Sequence, residues 1–229
     1  MILALVCFFT CLINCAEAQS FFSIKGKTAS PQTSKVFLYV VDPVKSDTVL
    51  ADSATVTLQL FRFKATFQEP KQVVLKLDTN QEKVAFLWDG KIKVQLNDRN
   101  ISRSLVTNSV ATDDWYDFQA EIDPTYEQSV LEFARMNDKK VRPQPGESVD
   151  MNAVMSRVRT SLMLYKIRLT QINAFKGTHP KSWVNLYLLA WYRQQLGRSG
   201  VYRLMVQLPR NLKESKLYQQ LDLALQEMN

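Results

Sequence analysis

Near Thr112 the hydrophobic period of this chain changes from two residues to between three and four, so one kind of layer cannot serve both halves. Upstream, Val56, Leu58 and Leu60 alternate with Thr57 and Gln59, and Phe61, Phe63, Ala65 and Phe67 alternate with Arg62, Lys64 and Thr66. Successive side chains of a strand point to opposite faces, so each run reads as a half-buried strand. The two runs differ in phase at Leu60-Phe61, which predicts a tight turn or bulge there. Further apolar runs open at Phe22, Val36, Val73, Val84 and Ile92. Asp89-Gly90 separates two of them and predicts a hairpin, because a tight primed turn needs positive φ. Many short strands punctuated by turn residues predict an antiparallel β-sandwich.

Downstream the pattern is helical. Asp113-Asp114 is placed to cap a helix carrying Trp115, Phe118 and Ile122, which Pro124 interrupts. Tyr126, Val130, Phe133 and Ala134 resume the pattern, and Pro143-Gln144-Pro145-Gly146 reads as a loop. Met151, Met155, Val158, Leu162, Tyr165, Leu169 and Ile172 then recur at steps of four and three. Such a seam lies along one side of a helix and is expected to face a partner element. Gly177 and His179-Pro180 supply a stop and a fresh start, before a helix with Trp183, Leu186, Tyr187, Ala190 and Trp191 that runs to Gly197. Two shorter helices follow, through Val201–Leu208 and through Leu217, Leu221 and Leu225. The fold class expected is α+β, with a sandwich over 19–110 and an antiparallel helical region over 111–229 packed on or beside it.

Residues 1–18 read as a secretory signal peptide: an apolar stretch through Leu3, Val6, Phe9 and Leu12 ends at Ala16-Glu17-Ala18. All three cysteines, Cys7, Cys11 and Cys15, fall inside it, so the mature chain is expected to hold none. That excludes disulfide frameworks, thiolate metal sites and thiol redox chemistry. Lipidation at Cys15 is the competing route, although Asn14 stands where a lipobox wants a small residue. The expected location is exported, periplasmic or associated with the outer membrane, with no membrane span once the signal is removed. The formal net charge is +7, with 29 Lys and Arg against 22 Asp and Glu. A basic balance suits anionic partners such as lipid headgroups or acidic glycans, and nucleic acid is not expected outside the cytoplasm.

The catalytic inventory is thin. His179 is the one histidine and sits beside Pro180 at a helix start, which suits a capping or turn role better than a base or ligand. Asp113, Asp114 and Asp117 lack the spacing of a calcium loop, and no serine has a nucleophile-elbow motif. No cofactor or metal is expected. Two surfaces are candidates for a ligand or partner. Trp183, Tyr187 and Trp191 repeat at i, i+4 and i+8 and could stack a sugar or lipid, or belong to the core. Arg157, Arg159, Lys166 and Arg168 could hold an anionic lipid or glycan, or form a solvated helix face. The expected function is a non-enzymatic exported envelope binding or accessory module contacting an envelope protein or surface component.

Phe22-x-Ile24-x-Gly26, Val36-x-Leu38, Asp52-Ser53-Ala54, Phe61-x-Phe63, Phe67, Pro70 and Phe86-Leu87-x-Asp89-Gly90-x-Ile92-x-Val94 together resemble the domain of unknown function 4369, an envelope domain. Asn108-Ser109 stands where that family has Gly-Ser, and His179-Pro180-x-Ser182 resembles the family's Asn-Pro-x-Ser helix start. The resemblance implies an envelope location and a sandwich-plus-helices build. In many members the module precedes a thioredoxin-like domain with a Cys-x-x-Cys motif, for which no position here matches. The alternative function it implies is a detached module of a thiol-disulfide oxidoreductase that docks a separately encoded thioredoxin-like protein.

Overall fold

The computed structural model describes residues 21–120 and 150–228, which form two compact units. The first comprises residues 21–41 and 48–110, and the second comprises 42–47 and the residues from Ala111 onward.

The first unit holds eight strands: β1 (Phe21–Thr28), β2 (Lys35–Asp42), β3 (Asp47–Thr55), β4 (Leu60–Thr66), β5 (Lys71–Leu77), β6 (Asn80–Trp88), β7 (Lys91–Leu96) and β8 (Leu105–Thr107). They make two four-stranded sheets, ordered β4-β1-β7-β8 and β3-β2-β5-β6. Both sheets contribute their inner faces to one hydrophobic cluster, including Ile24, Phe63, Leu75, Phe86, Trp88 and Ile92, all essentially buried. The alternation in β4 shows why: Phe61 and Phe63 are buried while Arg62 and Lys64 are exposed. The fold is therefore α+β, with a sandwich of two antiparallel-rich sheets at the N-terminal end and helices after it.

Four local features differ from, or resolve, the sequence expectations. Asp89-Gly90 does not close a hairpin, because β6 and β7 lie in different sheets. Gly90 lacks positive φ; its carbonyl accepts from the Trp88 indole Nε1 at 2.8 Å and from the Ser23 amide at 3.0 Å, turning the chain from one sheet to the other. The strand it delivers, β7, pairs in parallel with β1 from Ser23↔Lys91 to Thr28↔Leu96. The phase change expected at Leu60-Phe61 is a tight turn just upstream, where Leu58 (φ 52°) and Gln59 (φ 64°) are both left-handed and Thr57 and Leu60 exchange backbone bonds at 2.9 Å. Asn108 also has φ 66°, so asparagine fills a left-handed position that glycine adopts without cost and asparagine tolerates. Ser109 next to it donates from Oγ to the Leu87 carbonyl at 2.9 Å. Asp52-Ser53-Ala54 of the resemblance lies within β3, with Ala54 packed against the core.

Asp78 ties the start of β2 to the end of β5: its carboxylate accepts from the Ser34 hydroxyl and from the Ser34 and Lys35 amides. Burial raises its pKa, and these hydrogen bonds outweigh that effect and hold the carboxyl below its ordinary value.

The second unit contains α1 (Val110–Ala120), α2 (Met151–Thr178), α3 (Val184–Trp191), α4 (Arg193–Met205), α5 (Arg210–Lys213) and α6 (Lys216–Gln226). The expected elements through Tyr126–Ala134 and the Pro143–Gly146 loop lie outside the described residues. Asp150 caps α2 by accepting from the Asn152 amide, and Ser215 caps α6 by accepting from Tyr218. The Met151–Ile172 seam is packed only toward its C-terminal end. Ile172 is buried, whereas Met151, Met155, Val158 and Leu162 are each about half exposed or more. The reason is that α2 meets α3 and α4 through its second half, where Gly200 of α4 lets the Tyr165 ring approach. The helix through Trp183 stops at Trp191, not Gly197, and Gly197 (φ 64°, ψ 166°) kinks α4. Nearly the whole of α3 is buried, and Leu217, Leu221 and Leu225 of α6 are buried at helical spacing.

Candidate binding face

The outer face of the β4-β1-β7-β8 sheet carries six cations and no anion. In β1 the inward positions are Phe22, Ile24, Gly26 and Thr28, which leaves Lys25 and Lys27 outward and exposed. In β4 the same alternation exposes Arg62 and Lys64, and in β7 it exposes Lys91 and Lys93. None of the four strands contains an Asp or Glu. Register stacks the charges: Lys25 lies opposite Arg62 on one side and Lys93 on the other. On the next rung Ser23 lies between Lys64 and Lys91. Like charges directly opposite in a sheet are destabilising, so this arrangement costs stability unless an anion meets it. Lysines on edge strands are commonly explained as guards against aggregation. That explanation reaches β4 but not β1 and β7, which are interior strands and hold four of the six charges.

A cleft of about 620 Å³ opens beside this rung, with Lys25 and Arg62 among its lining residues. Ser53, Thr55 and Thr57 line it with hydroxyls, and Ala54, Leu60 and Phe61 supply apolar surface. A shallower trough of about 290 Å³ shares Lys25, Gly26 and Leu60 with the cleft and continues to Lys93 and Thr107. The two form one track running across the strands. Gly26 matters here for packing: a Cβ at that position would stand 1.8 Å from the far edge of the Phe61 ring, so only glycine leaves room for the ring against β1. The track offers positive charge and hydroxyl groups, the chemistry that holds an anion bearing hydrogen-bonding groups.

The surfaces expected from the sequence are placed differently. Tyr187 is 1% exposed and so is core. Trp191 is half-buried against Trp115 at 5.2 Å and Tyr187 at 5.5 Å between ring centroids, and Trp183 is half-buried ahead of α3. The three do not make an open stacking ledge. The four basic residues of α2 do not share a side either. At about 100° per residue, Arg157 and Arg168 project one way and Arg159 and Lys166 nearly opposite. Arg168 is 2% exposed, its guanidinium lying 3.8 Å over the Tyr192 ring and bonding Gln171 at 3.0 Å and Gln195 at 3.4 Å. It is a core cation, not a surface one. His179 caps the end of α2, donating from its amide to the Phe175 carbonyl and accepting from Asn185 Nδ2 at 2.8 Å. Its ring stacks on Phe175, with Asp114 and Asp117 both 3.9 Å from Nε2. Those two acids are neighbours that sequence spacing did not reveal. Among the described residues no group of three or more metal-binding side chains converges, and no helix is long and apolar enough to cross a membrane.

The cationic face was missed because it is spread over three strands. Its sequence signal is a basic-x-basic pair repeated inside apolar alternation: Lys25-x-Lys27, Arg62-x-Lys64 and Lys91-x-Lys93. Net charge alone gives no hint that one face collects them.

Fold and face together define an α+β protein whose sandwich presents an open, anion-complementary sheet. Residues 22–115 match the family model described as Domain of unknown function (DUF4369). The match ends at Trp115, so the His179–Ser182 resemblance lies beyond it. No curated protein and no solved structure matches the chain.

Proposed function

We propose that the chain is a non-enzymatic, exported binding or accessory module of the cell envelope, held to an anionic component through the open face of the β4-β1-β7-β8 sheet. The observation that carries this reading is the rung Arg62–Lys25–Lys93, three cations side by side with no carboxylate on any strand of the sheet. The apolar run ending at Ala16-Glu17-Ala18 supports export. The cleft lining supports binding rather than chemistry, since its polar groups are hydroxyls and cations placed to hold charge. The test is retention of the purified chain on isolated envelope material at low and high salt. Retention should be reversed by salt and should fall at least tenfold in Lys25→Glu/Arg62→Glu. Equal retention of that variant would overturn the reading.

A further inference from the structure

We infer that the anionic component is an acidic polysaccharide, laid across the strands with one of its units seated in the cleft lined by Ser53, Thr57, Lys25 and Arg62. This rests on the reading of the sheet face as a binding surface and adds the class of ligand.

Three observations narrow the choice. First, the charges run along a rung, from Arg62 through Lys25 to Lys93, and the cleft and trough follow the same line across β4, β1, β7 and β8. At about 4.8 Å per strand the line is about 14 Å long, which suits a linear chain rather than a single small anion. Second, the line has depth at one end. Lys25 and Arg62 border a cleft walled by the Ser53, Thr55 and Thr57 hydroxyls. A unit of a chain can enter such a recess, while the headgroup plane of a bilayer meets only the outer tips of a twisted sheet. Third, the recess combines cations, hydroxyls and the apolar surface of Ala54, Leu60 and Phe61. A sugar ring presents the matching set: hydroxyls, a carboxylate or other anionic substituent, and C–H surface. Five of the six cations are lysine, and these are mobile point charges suited to a flexible polyanion rather than to one fixed bidentate contact. No Trp, Tyr or His stands at the described outward positions of β1, β4 and β7, so the platform that single-stranded nucleic acid uses for base stacking is lacking there.

The experiment uses the chain without residues 1–18 and three probes: polygalacturonate, neutral dextran of similar length, and vesicles containing phosphatidylglycerol. Binding is read at 50 and 500 mM NaCl. Two double variants separate the contributions, Ser53→Ala/Thr57→Ala in the cleft wall and Lys64→Glu/Lys91→Glu on the neighbouring rung. Ser53 and Thr57 line the cleft, Lys64 and Lys91 lie outside it, and all four are exposed, so matching urea midpoints check that folding is intact. The expected result is salt-sensitive binding to polygalacturonate and none to dextran. Ser53→Ala/Thr57→Ala should weaken polygalacturonate binding about tenfold while leaving vesicle binding unchanged. Binding to vesicles without binding to polygalacturonate would overturn the inference, and so would an unchanged affinity in the Ser53→Ala/Thr57→Ala variant. Either of those results leaves the proposed function standing if Lys25→Glu/Arg62→Glu still abolishes envelope retention.

Discussion

Lys25→Glu should make the sandwich more stable, although it alters an exposed residue. Lys25 stands between Arg62 and Lys93 on one rung. Neighbouring strands lie about 4.8 Å apart, and flexible tips relax to roughly 6 Å, where two unit charges in water repel by about 0.7 kcal/mol. A Debye length of about 10 Å at 0.1 M salt roughly halves that. Two such repulsions become two attractions on charge reversal, for a gain of about 1.4 kcal/mol, or about 0.7 kcal/mol for each pair, within the range of cross-strand pairs. Lys and Glu have similarly poor strand propensity, so the backbone contribution nearly cancels. Native-state hydrogen exchange over β1 and β7 reads this unit directly, and about 1.4 kcal/mol corresponds to roughly tenfold greater protection. Lys25→Gln, which removes repulsion without adding attraction, should give about half the gain in free energy. The gain should fade in 1 M NaCl. Unchanged or reduced protection at low salt would refute the reasoning, and a gain that survives 1 M NaCl would show that its origin is not electrostatic.

Other outcomes follow from single positions. Gly26→Ala should destabilise the sandwich by about 1–3 kcal/mol, because the new Cβ meets the Phe61 ring and the core must shift. Adding Phe61→Leu should recover part of that loss in urea denaturation, while independent effects would simply add. Asn108→Ala should cost about 1 kcal/mol and Asn108→Gly should be neutral or stabilising, since position 108 is left-handed. Equal effects of the two substitutions would contradict the turn geometry. Asp78→Asn should remove a pH-dependent contribution. The folded pKa is depressed, so the contribution is present above the unfolded value, about 3.9, and is lost as pH falls through the folded value. The urea midpoints of the two proteins should therefore differ most near neutrality and converge in acid.

The architecture was legible where one physical effect dominated. Alternation in Phe61–Phe67 located a strand because half-burial imposes a period of two. Leu217, Leu221 and Leu225 located the last helix for the equivalent reason. Asp89-Gly90 misled because turn chemistry describes a bend without saying which sheet the next strand joins; β7 pairs with β1, far away in sequence, rather than with β6. The long seam on α2 misled because periodicity shows that a helix has an apolar side, while only tertiary placement decides how much of it is covered. Arg168 looked solvated because cations usually are, yet Tyr192, Gln171 and Gln195 give it a satisfied site in the core. The cationic face was invisible to any one-strand reading, since it exists only once β1, β4 and β7 are in register.

The most direct test of the account is lysine footprinting. The purified chain would be acetylated briefly with and without envelope material, and modification at each lysine read by mass spectrometry. The account predicts protection at Lys25, Lys27, Lys64, Lys91 and Lys93, with Lys45, Lys181 and Lys216 unaffected. Protection at Lys166 and Lys181 with the sheet lysines still reactive would contradict it and move the working surface to the helical unit.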